Sequence, residues 1–140
     1  MKKILVTGGA GYIGSKLVTK LLELNFKVTV VDNLKFSSKS INHLFNKKNF
    51  KFIKGDVRNK SIIKKLIKNN EFIIPLAGLV GAPLCEKNKK EATSVNFETI
   101  KYLSNNLNKK NKVIYLTTNS GYGVGEKNKY CDESSQLNPI

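Results

Sequence analysis

The apolar residues of this chain change period several times, and each change marks a boundary between predicted elements. Lys3 to Thr7 holds the unbroken run Ile4-Leu5-Val6 and stops at a glycine cluster, which predicts a short strand buried on both faces. From Tyr12 to Leu24 the spacing widens, with Ile13, Leu17, Val18, Leu21, Leu22 and Leu24 recurring at helical intervals. Lys27 to Asp32 (KVTVVD) returns to β-branched residues, so strand, helix and strand form one βαβ unit.

The alternation continues. Lys39 to Phe45 is weakly helical, Phe50 to Lys54 reads as a third strand, and Lys60 to Lys68 places Ile62, Ile63, Leu66 and Ile67 on a helix. Phe72 to Leu76 is a fourth strand. A long helix is expected from about Lys90 to Leu107, striped by Ala92, Val95, Thr99, Ile100, Leu103 and Leu107, and Val113 to Thr117 makes a fifth strand. Beyond Thr118 the periodicity fades into polar, glycine-bearing sequence. Right-handed crossovers turn this succession into an α/β fold, a doubly wound parallel sheet of about five strands in the order 3-2-1-4-5. The expected organisation is one domain over residues 1–140, with a loop-rich tail from 118 to 140.

Length supports a single domain: a chain of 140 residues buries roughly 68–70% of the surface its unfolded form exposes, so no metal or disulfide staple is required. No apolar stretch reaches the roughly 18–20 residues of a membrane span, and the N-terminal apolar run is too short for a signal peptide. Cys85 and Cys131 stand apart with no second cysteine or histidine at metal-ligand spacing, so they are expected to be reduced thiols. A cytoplasmic, metal-free protein is the expectation.

Charge changes the picture only at first sight. The net charge of +15 suggests a nucleic-acid surface, but 24 of the 25 basic residues are lysines and Arg58 is the one arginine, whereas sequence-reading proteins favour the planar fork of Arg. Asparagine is inflated too, at 17 residues, and Lys and Asn share A-rich codons, so the excess is expected to be compositional and solvated.

The chemistry-bearing segment lies between the first strand and the first helix: Thr7-Gly8-Gly9-Ala10-Gly11-Tyr12-Ile13-Gly14-Ser15. It satisfies both Gly9-x-Gly11-x-x-Gly14 and Gly8-x-x-Gly11-x-x-Gly14, directly after a strand and opening a helix. There a side-chain-poor loop lets backbone approach a pyrophosphate at the positive end of the helix. Asp32 ends the second strand 18 positions beyond Gly14, near the offset of the carboxylate that binds an adenosine ribose. Such an acid favours NAD over NADP, because a 2′-phosphate meets carboxylate repulsion, although Lys35 nearby would soften it. Asp56, in Gly55-Asp56-Val57 after the third strand, is placed to accept the adenine amino group or to cap the next helix.

These blocks, TGGAGYIGS, VVDNL, GDV, PLAGLVGAP and TTNSGYG, occur in an order that resembles the extended short-chain dehydrogenase/reductase family, and within it the NAD-dependent sugar-nucleotide epimerases and dehydratases. The resemblance implies a Rossmann-like, cytoplasmic, nucleotide-sugar oxidoreductase with NAD as cofactor. It places Gly8, Gly11, Tyr12, Ile13 and Gly14 at the pyrophosphate, Asp32 and Asn33 on the adenosine ribose, Asp56 and Val57 at adenine, and Leu76, Ala77 and Gly78 beside the nicotinamide ribose. Asn96 interrupts the stripe of the long helix, and the resemblance puts it near the cofactor; a buried amide bonding a neighbouring loop is the alternative. Thr118 matches the Ser/Thr that hydrogen-bonds the reacting sugar hydroxyl, its alternative being an ordinary strand-end hydroxyl.

One part of the family pattern is missing. The family base is the Tyr of Tyr-x-x-x-Lys. Tyr102, Tyr115, Tyr122 and Tyr130 are followed four places on by Asn106, Asn119, Glu126 and Ser134. Only Tyr12 and Lys16 fit, and they lie on the phosphate-binding helix, at the wrong end of the cofactor. The chain is therefore expected to be an N-terminal portion that stops short of its base and of the later strands, inactive alone, with an exposed fifth-strand edge prone to self-association. The alternatives are a stand-alone NAD-binding or sensing module working with a partner chain and, more remotely, an RNA-binding protein.

Overall fold

The computed structural model describes residues 1–36, 39–124 and 130–139. Of the tail anticipated as loop, residues 125–129 and 140 lie outside the described residues. Five strands form one sheet: β1 (Lys3–Thr7), β2 (Lys27–Asp32), β3 (Phe50–Lys54), β4 (Phe72–Pro75) and β5 (Lys112–Val113). The order is β3-β2-β1-β4-β5 and every pairing is parallel, as the alternation of periods implies.

The apolar runs have a direct cause. In β1, Ile4 and Val6 point into one core with Val28, Val30 and Ile74, while Leu5 points into the other with Val31 and Ile73. Both faces are covered, so both sets of alternate residues must be apolar. α1 (Tyr12–Glu23) covers the first face through Val18, joined by Ile41 and Leu44 from a 3-10 helix over Lys39–Leu44. α2 (Lys60–Asn69) covers the second through Ile63, Leu66 and Ile67. Its first turn is capped by Asn59, whose Oδ1 accepts the Ile62 N–H at 3.2 Å. The capping alternative for Asp56 is thereby corrected: the cap falls three residues later, where the side chain can reach the helix's free N–H groups.

The long helix is interrupted. α3 (Ala82–Lys87) is followed by α4 (Lys89–Ala92), a π-helical segment (Thr93–Glu98) and α5 (Thr99–Asn105). The stripe holds where it packs, with Val95, Thr99 and Leu103 buried. Within it the Thr99 hydroxyl donates to the Ser94 carbonyl at 3.1 Å, five residues back, in step with the wider turn. β5 is shorter than expected. Its ladder ends at Val113, although the Ile114 N–H still donates to the Ile73 carbonyl at 3.0 Å. The outer side carries Val113, Ile114, Tyr115 and Leu116 at 37%, 52%, 57% and 45% exposure, the apolar edge anticipated from the sequence. No helix among the described residues is long and apolar enough to cross a membrane.

Candidate functional site

From β1 the chain passes to β2 and β3 on one side of the sheet and then crosses from β3 to β4 on the other, so the carboxyl ends of β1 and β4 flank the switch point of the sheet, where open α/β sheets form their ligand crevice. The glycine loop begins there. Gly8 has φ +69°, and a Cβ on it would stand 2.6 Å from the Ala77 nitrogen and 2.7 Å from the Ala77 Cα, so conformation and space both require glycine. Gly14, in the first turn of α1, presses on the same loop: its Cβ would collide with the Gly8 carbonyl oxygen and lie 2.7 Å from the Gly9 Cα. The loop thus closes on itself through the Gly11 N–H to Gly8 carbonyl bond at 3.0 Å and holds the helix start against β1 and β4.

The opening turn of α1 is left electropositive. Gly11 occupies the N-cap position and offers no side chain, there is no acidic residue in the first turn, and among the described residues the N–H groups of Tyr12, Ile13 and Gly14 have no acceptor. Tyr12 is 90% exposed and Ile13 is exposed as well, while Gly14 is buried against the loop.

Asp32 closes the site from β2. Its Oδ2 accepts the Ala10 N–H at 3.0 Å and its Oδ1 accepts the Leu34 N–H at 2.8 Å. Each carboxylate oxygen has two acceptor positions, so one on each remains for a ligand hydroxyl while the backbone bonds fix the orientation. Leu34, at φ +59°, reverses the chain to make the second of these bonds. The Ser40 hydroxyl fastens the loop from the far side, donating to the Ala10 carbonyl at 2.6 Å.

The remaining predicted residues divide. Leu76 and Ala77 are knitted to β1, the first donating its N–H to the Thr7 carbonyl at 3.0 Å and the second to the Thr7 Oγ1 at 3.2 Å. Gly78 faces Asn96, whose Oδ1 would be 3.1 Å from an added Cβ. Asn96 itself is exposed, which corrects the expectation of a buried amide. It nevertheless bonds a neighbouring loop as the alternative foresaw: Oδ1 accepts the Leu79 N–H and Nδ2 donates to the Leu79 carbonyl, both at 2.8 Å. Asn33 turns its Oδ1 to the Lys35 N–H at 3.0 Å. Asp56 is held by Arg58 through Nη2–Oδ2 at 2.6 Å and Nε–Oδ1 at 2.9 Å, and this guanidinium keeps its carboxyl below the usual Asp range. Val57 is buried in the second core. Among the described residues the Thr118 hydroxyl engages its own turn, accepting the Ser120 N–H at 3.3 Å at the start of a 3-10 helix over Asn119–Tyr122.

Sequence reading missed the supports: the Thr7 hydroxyl under Ala77, Ser40 behind Ala10, Arg58 on Asp56, and the Lys35–Glu91 ion pair. Arg58 two places beyond Asp56 was a readable signal. The others join residues 30 to 70 positions apart, for which the sequence carries no local mark.

Residues 4–140 match the model of the NAD dependent epimerase/dehydratase family. The chain is 33% identical over 125 residues to the UDP-N-acetyl-alpha-D-glucosaminuronate decarboxylase of Bacillus cytotoxicus, covering 89% of this chain and 39% of that one. It is 32% identical over 146 residues to the dTDP-D-glucose 4,6-dehydratase of Homo sapiens, covering 99% and 41%. Its fold superposes on the UDP-Glc/GlcNAc 4-epimerase of Campylobacter jejuni with a TM-score of 0.87 at 29% identity, over 100% of this chain and 44% of that one. The chain therefore spans about two fifths of the length of these relatives.

Proposed function

The chain belongs to the NAD dependent epimerase/dehydratase family, and from that premise we propose that residues 1–140 are its NAD-binding domain, acting in nucleotide-sugar oxidoreduction. One observation carries the reading: among the described residues three unpartnered N–H groups open α1 beside a loop with no room for a Cβ at Gly8, Gly9 or Gly14, while the Asp32 carboxylate is fixed alongside with an acceptor site free on each oxygen. The donors suit a diphosphate at a helix start. The carboxylate suits the two hydroxyls of an adenosine ribose, and its charge favours NAD over NADP.

Bound NAD would supply a hydride acceptor for a sugar carbon. The protein's share is placement. Gly8, Gly11, Tyr12, Ile13 and Gly14 hold the diphosphate, Asp32 and Asn33 the ribose, and Asp56 and Val57 border adenine. Leu76, Ala77, Gly78 and Asn96 wall the nicotinamide side, and Thr118 orients the sugar hydroxyl. None of the 140 residues supplies a Tyr-x-x-x-Lys base outside the phosphate-binding helix. Loss of a general base costs about 10²–10⁴-fold in rate, so this polypeptide alone binds cofactor with little turnover. A second reading, a module that works with a partner chain, draws on the apolar edge at Val113–Leu116.

Calorimetric titration of NAD and NADP into the purified chain tests the proposal. NAD binds more tightly than NADP, and Asp32→Ala weakens NAD by about tenfold or more, as expected for hydrogen bonds to a charged group. A folded protein that takes up neither dinucleotide contradicts it.

A further inference from the structure

Lys35 follows Asp32 by three positions, in a turn built from consecutive side-chain bonds: Asp32 Oδ1 accepts the Leu34 N–H, and Asn33 Oδ1 accepts the Lys35 N–H. An ammonium so close in sequence to a ribose-binding carboxylate is the kind of group that accommodates the 2′-phosphate of NADP. It is already engaged. Lys35 Nζ lies 2.8 Å from both Oε1 and Oε2 of Glu91, which stands 56 positions away in α4. Arg58 is engaged as well, since it grips Asp56 with two nitrogens and reaches the Ser94 hydroxyl at 3.5 Å. Lys35 and Arg58 are thus each matched by a carboxylate, while no ion pair forms at Asp32 among the described residues.

We infer that Glu91 is a specificity-determining residue for the dinucleotide, acting through Lys35: by holding the ammonium it denies the ribose site the counter-charge that a 2′-phosphate needs. This inference rests on the reading of Asp32 as the ribose ligand. Glu91 is a positioning residue, since what it touches is Lys35 and not the cofactor. The pair is partly exposed, and such pairs are held weakly enough that removing one partner releases the other instead of unfolding the domain. A released ammonium would be free to make a charge-assisted bond to phosphate, whereas NAD presents only a hydroxyl at that position.

The test is calorimetric titration of NAD and NADP into the wild-type chain, Glu91→Gln, and the double variant Glu91→Gln/Lys35→Met, read as the ratio of the two dissociation constants. Glu91→Gln shifts the ratio toward NADP by about tenfold, the scale of one hydrogen bond to a charged group. The double variant returns it to within about twofold of wild type, because the gain comes from Lys35. Should Glu91→Gln not fold, Glu91→Lys takes its place and moves the ratio the same way and further. A ratio unmoved by the single variant, or moved equally in the double variant, overturns the role of Glu91 while leaving NAD binding intact. A wild-type chain that binds neither dinucleotide overturns the cofactor reading itself, and this inference with it.

Discussion

Along β2, Val28, Thr29, Val30 and Val31 are all buried, each between paired strands and under a helix; along 113–116, Val113, Ile114, Tyr115 and Leu116 are all exposed. The two stretches are similar in composition and differ in what surrounds them. β2 pairs over five residues with β1 and over five with β3, whereas β5 pairs over two with β4. The same contrast separates the two candidate sites. The glycine loop and Asp32 sit on the well-paired half, fixed by Thr7, Ala10 and Ser40, while Thr118 sits on the other half, in a turn that bonds mostly to itself. A cofactor cradle tolerates little displacement, and the candidate cradle is on the half whose strands pair over five residues.

The contrast is sharpest in the core. Ile73 is fully buried in β4 beside Leu5 of β1, and Ile73→Ala is expected to destabilise by about 2–5 kcal/mol. Val113→Ala, across the ladder from it, removes a partly exposed side chain and is expected to cost under about 1 kcal/mol. Urea unfolding of the two variants checks this, and equal losses would break the comparison.

Glycines give the next largest difference. Gly14→Ala drives a methyl group into the backbone of Gly8 and Gly9, with an expected loss of about 1–3 kcal/mol and of NAD uptake. Gly121→Ala in the tail meets only Leu137 Cδ2, at 3.5 Å, and is expected to be tolerated in thermal unfolding within about 0.5 kcal/mol.

The smallest effect concerns pH. Asp56 is held below the ordinary Asp value chiefly by hydrogen bonds from the Arg58 side chain, so its contribution to stability is present above the unfolded pKa of about 3.9 and disappears as pH falls through the lower folded value. Because the pair is partly exposed, the contribution is about 0.2–1 kcal/mol. The stability difference between wild type and Arg58→Leu should be seen at pH 7 and vanish as pH falls through the lowered Asp56 value. A difference that grows on acidification would contradict the assignment.

How far the sequence could be read follows the same division. The boundaries of β1 and β2 coincide with their apolar runs because burial on both faces leaves no latitude in residue type, and those of β3, half-buried at Phe50, Phe52 and Ile53, coincide as well. α3 escaped because none of its residues is buried, so it has no stripe to betray it. The π segment escaped because Val95, Thr99 and Leu103, four apart, fit an α-helical stripe equally well. β5 was expected to run to Thr117 from its apolar residues, but a strand needs a neighbour as well as a composition, and Pro75, two residues past Ile73, has no N–H with which to extend the ladder to β4. In the site, the glycine loop and Asp32 were legible because their chemistry is local. The Lys35–Glu91 pair was not, since nothing in either segment names the other.

The central claim is that the turn opening α1 takes the diphosphate of a dinucleotide beside Asp32. It is tested most directly by following backbone amide resonances of the folded chain as NAD is added. The account predicts that the N–H signals of Tyr12, Ile13 and Gly14 move first and furthest, together with those of Ala10 and Leu34 that report on Asp32, while those of Ser120 and Gly121 move less. Shifts centred on Asn119–Tyr122 with the glycine loop unmoved, or no shifts at saturating NAD, would contradict it.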